Sequence, residues 1–172
     1  MAHTTFPSNI PKPVDDGACN HLPNTNFPSI SLPSTSGSSV DISTLPGLKI
    51  LFCYPRTASP NEEVPESWNQ IPGARGCTPQ ACSFRDLSKE LLEAGGGLRK
   101  GLELPTMEWE GKTLIKRLSM VVEDGLILKV FYPVFPPDRS AGEVLEWLQT
   151  SYRGRKTLST EAENETMRNL QM

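Results

Sequence analysis

The chain has 172 residues, 37% of them hydrophobic, and a formal net charge of −3. That length suits one domain with its own core plus flanking sequence, and the modest apolar content leaves part of the chain outside that core. The acidic balance argues against nucleic acid or an anionic membrane as the main partner, and no apolar run approaches the roughly 20 residues of a membrane span.

Residues 1–26 are rich in Pro, Asn, Ser and Thr without an apolar period, and read as a disordered arm. From Phe27 the pattern changes. Ile30 and Leu32 alternate with Ser29 and Ser31, a turn cluster runs from Pro33 to Gly37, and Val40 and Ile42 alternate again, which predicts a hairpin. Leu48 to Tyr54 is a near-continuous apolar run ended by Pro55, the pattern of a strand buried on both faces in the middle of a sheet. Residues 56–76 hold three prolines, two glycines and few apolar side chains, so they predict a long loop of the kind that carries function. Thr78-Pro79 reads as an N-cap followed by proline at the first helical position. Phe84, Leu87, Leu91 and Leu92 follow at helical spacing until Gly95-Gly96-Gly97 stops the helix, and Leu98 to Leu104 allows one or two more turns.

Trp109 to Lys112 is a turn. Leu114 to Val122 and Leu126 to Tyr132 are strand-like and joined by Asp124-Gly125, a strong hairpin signal. Ser140 is placed to cap a last helix carrying Val144, Leu145, Trp147 and Leu148, and residues 151–172 form a polar tail. The expected organisation is an arm over 1–26, one domain over 27–150 and a flexible tail over 151–172. Hairpin, strand, loop, helix, short helix, hairpin and helix in that order give an α/β layout, one sheet with helices packed on it.

The cysteines are Cys19, Cys53, Cys77 and Cys82. The first residues lack the basic start and apolar stretch of a secretory signal and the Arg-rich pattern of a presequence, so a reducing cytoplasmic setting is expected. There, cysteines are free, metal-bound or catalytic more often than structurally bridged. Only Cys77 and Cys82 lie close together, and His3 and His21 sit in the Pro-rich leader, so the short paired spacings of a zinc site are missing. No metal and no cofactor is expected. Cys53, inside an apolar strand, reads as core, and Cys19 as incidental.

Cys77 stands where the long loop meets the helix. Unpaired N–H groups at a helix start favour an anion, and Arg75 and Arg56 add positive charge nearby, so this thiol is placed to act as a thiolate nucleophile. Attack on a peroxide would give a sulfenic acid. Cys82 lies five residues on. In an intact helix that spacing separates the two Cα atoms by roughly 7.5 Å of rise, beyond the ~6.8 Å upper range for a disulfide. A bridge between them requires the first helical turn to unwind. Two small core residues on an amphipathic helix would also explain the pair, more readily for Cys82 than for Cys77.

The run Gly73-Ala-Arg-Gly-Cys77-Thr-Pro-Gln-Ala-Cys82-Ser-Phe-Arg-Asp86 resembles the Q-type, or bacterioferritin-comigratory, peroxiredoxins. Phe52-Cys-Tyr-Pro55-Arg, Leu104-Pro-Thr106, Lys116-Arg117 through Gly125, and Val130 through Asp138 are similar to other parts of that domain, so the resemblance spans roughly residues 27–148. It implies a thioredoxin-like fold with a central mixed sheet flanked by helices, and reduction of hydrogen peroxide and alkyl hydroperoxides. Position by position, it makes Cys77 peroxidatic, Cys82 resolving, and Arg117 the arginine that holds the thiolate and polarises the peroxide. The implied partners are the peroxide and thioredoxin or a similar dithiol reductant, with the chain a monomer or homodimer.

The chain departs from that family in two places. Ala74 stands where a Thr or Ser is usual, which makes Thr57 the candidate to supply the hydroxyl across an inserted loop, 58–72. The sequence also passes from the helix to Leu98 without the expected strand–helix–strand unit of about 30 residues, an internal deletion near 94–98 that leaves the sheet incomplete. The alternatives are an inactive truncated relative, or a thiol–disulfide redox protein without peroxide turnover.

Overall fold

The computed structural model describes residues 11–34, 37–56, 65–73, 76–81 and 101–152. Ser31–Pro33 (β1) and Ser39–Asp41 (β2) pair antiparallel as the expected hairpin. Leu48–Cys53 (β3), Leu118–Glu123 (β6) and Leu126–Phe131 (β7) form a three-stranded sheet in the order β3-β6-β7. Between them, Thr106–Trp109 (β4) and Lys112–Ile115 (β5) make a separate hairpin, and Ser140–Trp147 (α2) follows the sheet.

The described pairings are all antiparallel. A parallel neighbour would need a crossover of a dozen or more residues, such as the strand–helix–strand unit that the family resemblance implies. Residues 82–100, where the expected internal deletion and the rest of the predicted helix fall, lie outside the described residues.

β6 is buried on both faces along nearly its whole length, whereas β3 is so only over its second half, Leu51 to Cys53. Leu118, Met120, Val121 and Val122 of β6 are all fully buried, whereas Leu48 of β3 is exposed. β6 sits between two partners, and β3 has one among the described strands. The run predicted as one strand from Leu114 to Val122 is two, β5 and β6, broken at Lys116-Arg117. The residues before the Trp109 turn, read without a strand, are β4, paired to β5 through Glu110 and Gly111. Both turn residues have positive φ, 47° and 72°, as do Asp124 and Gly125 at 47° and 82°. That is the backbone of the two-residue turn whose twist matches its strands.

Alternation along the strands sorts the core into two layers. Leu51 and Cys53 of β3, and Leu118, Met120 and Val122 of β6, face a cluster shared with Cys19, Leu22, Phe27 and Leu104. Phe52 and Val121 face the other way, onto Ala141 and Val144 of α2, with Ala81 alongside. The arm is therefore docked from residue 11 onward rather than disordered. Leu22 is 1% exposed, and Asn24 N–H donates to the Ile127 carbonyl at 2.8 Å while Ile127 N–H donates to Thr25 at 2.9 Å. Two apolar anchors, Cys19 and Leu22, in an otherwise polar stretch help to hold it, and its backbone covers the start of the β7 edge.

Within the predicted long loop, Glu66–Asn69 (α1) forms a helical turn. Trp68 is buried there edge-on to Trp109, ring centroids 4.8 Å apart, which gives a third small cluster. The Arg56 guanidinium lies over the Trp109 ring at 5.0 Å. No helix among the described residues is long and apolar enough to cross a membrane.

Candidate active site

Cys77 opens a helical turn over 77–81, two residues earlier than the start at Pro79 predicted from sequence. Gly76 is the residue before it, and its carbonyl accepts from Gln80 N–H at 2.9 Å to close the first turn. Gly76 has φ 112°, a conformation that L side chains avoid, so glycine is what lets the chain enter the helix here. Pro79 then falls inside the first turn, where its missing N–H costs nothing. The thiol is 8% exposed.

Arg117 reaches the same point from the sheet. It immediately precedes β6, on the face that carries Ser119 and Val121, beneath α2 and the cysteine turn. Its Nη2 donates to the Cys77 sulfur at 3.2 Å. Nη1 donates to the Gln80 Oε1 at 2.6 Å, and Nε and Nη2 both donate to the Gly73 carbonyl at 3.4 Å. The guanidinium is only 4% exposed, and of these three partners the sulfur alone can carry a negative charge. A buried cation needs such compensation, and a planar fork of donors can hold sulfur, amide and carbonyl together.

Gln80 is fixed in turn. Its Nε2 donates to the hydroxyls of Ser119, at 3.3 Å, and Ser140, at 3.4 Å, and these hydroxyls lie 3.0 Å apart. Gln80, Ser119 and Ser140 are each at most 1% exposed. Ser140 is thus not the cap predicted for the last helix. Arg139 occupies the cap position of α2, and the Ser140 side chain turns inward to the site instead.

Of the four site residues expected from sequence, Cys77 and Arg117 come together across forty positions of chain. Thr57 and Cys82, with Ala74 and Arg75, lie outside the described residues. Sequence reading missed Gln80, Ser119, Ser140 and the Gly73 carbonyl. One signal was available: Ser119 interrupts Leu118-Ser-Met-Val-Val, and a hydroxyl inside a fully buried strand must have a partner.

The other described thiols are on the far side of the sheet. Burial pushes the Cys53 thiol up to about 12, with nearby Cys19 adding to the effect. Burial, then the charges of Asp16 and Asp15, push Cys19 up to about 12 as well. Both are neutral core sulfurs near neutral pH. That was expected of Cys53; for Cys19 the docked arm is the reason.

The fold matches known structures. The chain is similar to peroxidoxin BcpB from Mycobacterium tuberculosis, with TM-score 0.56, 23% identity, and 76% of this chain and 99% of that one covered. It is also similar to a reduced Prx3 in complex with hydrogen peroxide from Vibrio vulnificus, at TM-score 0.54, 14% identity and 76% and 98% coverage. The fold is that of the peroxiredoxins. Xanthomonas campestris peroxiredoxin Q is similar too, at TM-score 0.50 and 16% identity, over 74% of this chain and 94% of that one. No family model and no curated protein sequence matches the chain. The expected thioredoxin-like α/β class thus holds, and Q-type and bacterioferritin-comigratory proteins are among the structures it resembles.

Proposed function

We propose that the chain is a thiol-dependent peroxidase with Cys77 as the sulfur that attacks hydrogen peroxide or an alkyl hydroperoxide. The observation that carries this reading is the buried Arg117 guanidinium donating to the Cys77 sulfur at 3.2 Å. The Cys77 thiolate attacks the terminal peroxide oxygen, an S–O bond forms as the O–O bond breaks, and sulfur is oxidised by two electrons to the sulfenic acid. The departing oxygen leaves as hydroxide or alkoxide and takes a proton from solvent. Arg117 holds the attacking sulfur and stabilises negative charge as it moves onto the peroxide oxygens, the use expected of preorganised donors in a water-poor site.

Resolution falls to Cys82. Its thiolate attacks the sulfenic sulfur, the S–S bond forms as the S–O bond breaks, and the departing hydroxide takes a proton from solvent to become water. In a helix that ran on intact through Cys82 the rise would separate the two Cα atoms by roughly 7.5 Å, so this step would need the first helical turn to open. A dithiol protein of the thioredoxin type then reduces the disulfide by exchange. Thr57 is proposed to donate to the bound peroxide in place of the hydroxyl that Ala74 lacks.

The test is peroxide consumption by the purified chain with thioredoxin, thioredoxin reductase and NADPH. Turnover that disappears in Cys77→Ser is the expected result. Turnover unchanged in Cys77→Ser would sink the assignment, and no turnover by the parent would favour an inactive relative.

A further inference from the structure

The docked arm does more than complete the core. Lys12, Pro13 and Val14 form one wall of a cleft of about 400 Å³. Pro55, Met107 and Tyr132 are on its other walls, and it shares Gly73 and Arg117 with the thiol site. Apart from the cations Lys12, Lys116 and Arg117, its lining is chiefly proline and aliphatic or aromatic carbon.

The wall touches the site itself. A Cβ on Gly73 would meet Pro13 Cγ at 3.3 Å, so proline and glycine are already in close contact. The carbonyl of that glycine accepts from Arg117. Two residues beyond Val14, Asp16 ties the segment down. One of its carboxylate oxygens accepts from Lys116 Nζ at 2.7 Å and the other from the Tyr132 hydroxyl at 2.9 Å. Lys116 and Tyr132 also line the cleft, so the clamp sits at its rim. Val14 itself is 83% exposed, a residue the core does not need.

We propose that the strap Lys12–Asp16 is the specificity-determining wall of the peroxide entrance, and that it binds the apolar organic body of an alkyl hydroperoxide whose O–O group reaches Cys77. Hydrogen peroxide has no such body and draws nothing from the strap. The inference rests on the peroxidase reading above. An apolar side chain on the wall contributes affinity in proportion to the area it takes from water, and Asp16 keeps the wall in register with Arg117.

The experiment is single-turnover oxidation of Cys77 in the full-length reduced chain, with cumene hydroperoxide and with hydrogen peroxide, in the parent, Val14→Asp and Asp16→Asn. The readout is the ratio of the two rate constants, cumene hydroperoxide over hydrogen peroxide. It should fall about fivefold in each variant, the loss expected from part of one apolar side chain's burial. A general folding defect slows both peroxides alike, so an unchanged ratio overturns the strap while leaving the peroxidase reading standing. If neither peroxide oxidises Cys77 in the parent faster than it oxidises free cysteine, the peroxidase reading fails and the strap proposal falls with it.

Discussion

Arg117 Nη2 stands 3.2 Å from the Cys77 sulfur, and its sister nitrogen Nη1 is held by Gln80 at 2.6 Å. One planar group therefore spans the nucleophile and the helix that carries it. A lysine ammonium is a point charge and cannot contact Cys77, Gln80 and Gly73 together. Arg117→Lys should slow oxidation of Cys77 by hydrogen peroxide about 100-fold, the usual effect of losing one preorganised donor. Stopped-flow tryptophan fluorescence reads the step. A rate within threefold of the parent would mean that Arg117 acts only through its charge.

Gln80 links this arginine to the sheet and to α2. Replacing it by leucine leaves the Nη1 donor of Arg117 and the Ser119 and Ser140 hydroxyls each short of a described partner in a buried site. A hydrogen bond to a charged group contributes about 1.5–3 kcal/mol. Gln80→Leu should lower the urea midpoint accordingly and also slow Cys77 oxidation, because Arg117 loses its alignment. Loss of stability at a parental oxidation rate would show that Gln80 serves packing alone.

Much of this was legible in the chain. The Asp124-Gly125 hairpin and the hairpin after Phe27 follow from two-residue periodicity and turn chemistry, which are local properties. Cys77 was marked by its position at a helix start, and Arg117 only by resemblance, since alone it reads as a strand charge on a surface. Gln80 and Ser140 were not legible as site residues. Their roles come from tertiary pairing across sixty positions, and Ser140 just before an apolar helix is what a cap also looks like. The arm misled for a related reason: two buried side chains, Cys19 and Leu22, help to fix a segment whose average composition is that of a disordered one.

The sheet divides the described thiols chemically as well as spatially. Cys19 and Cys53 are pushed up to about 12, so at pH 8 only about one molecule in ten thousand carries either as thiolate, four pH units below that value. Iodoacetamide at pH 8 should therefore label Cys77 well ahead of both, and peptide mass spectrometry gives the order. Labelling of Cys19 at the rate of Cys77 would mean that the arm does not stay docked in solution.

The same shifts make stability depend on alkaline pH. In the unfolded chain a cysteine ionises near pH 8.5, whereas the buried Cys53 keeps its proton until about 12. Above pH 9 the native state thus binds more protons than the unfolded state, and by linkage the free energy of unfolding falls as pH rises. The contribution is fully present below the unfolded value and is lost on the way up to 12. Thermal melts of the parent should show Tm dropping steadily from pH 8.5 to 11. Cys53→Ala removes one titrating group, so its Tm, lower at neutral pH for the lost sulfur, should fall less steeply over the same interval. Parallel slopes for the two proteins would show that Cys53 is not held neutral against the unfolded state, and would place the alkaline sensitivity elsewhere in the chain.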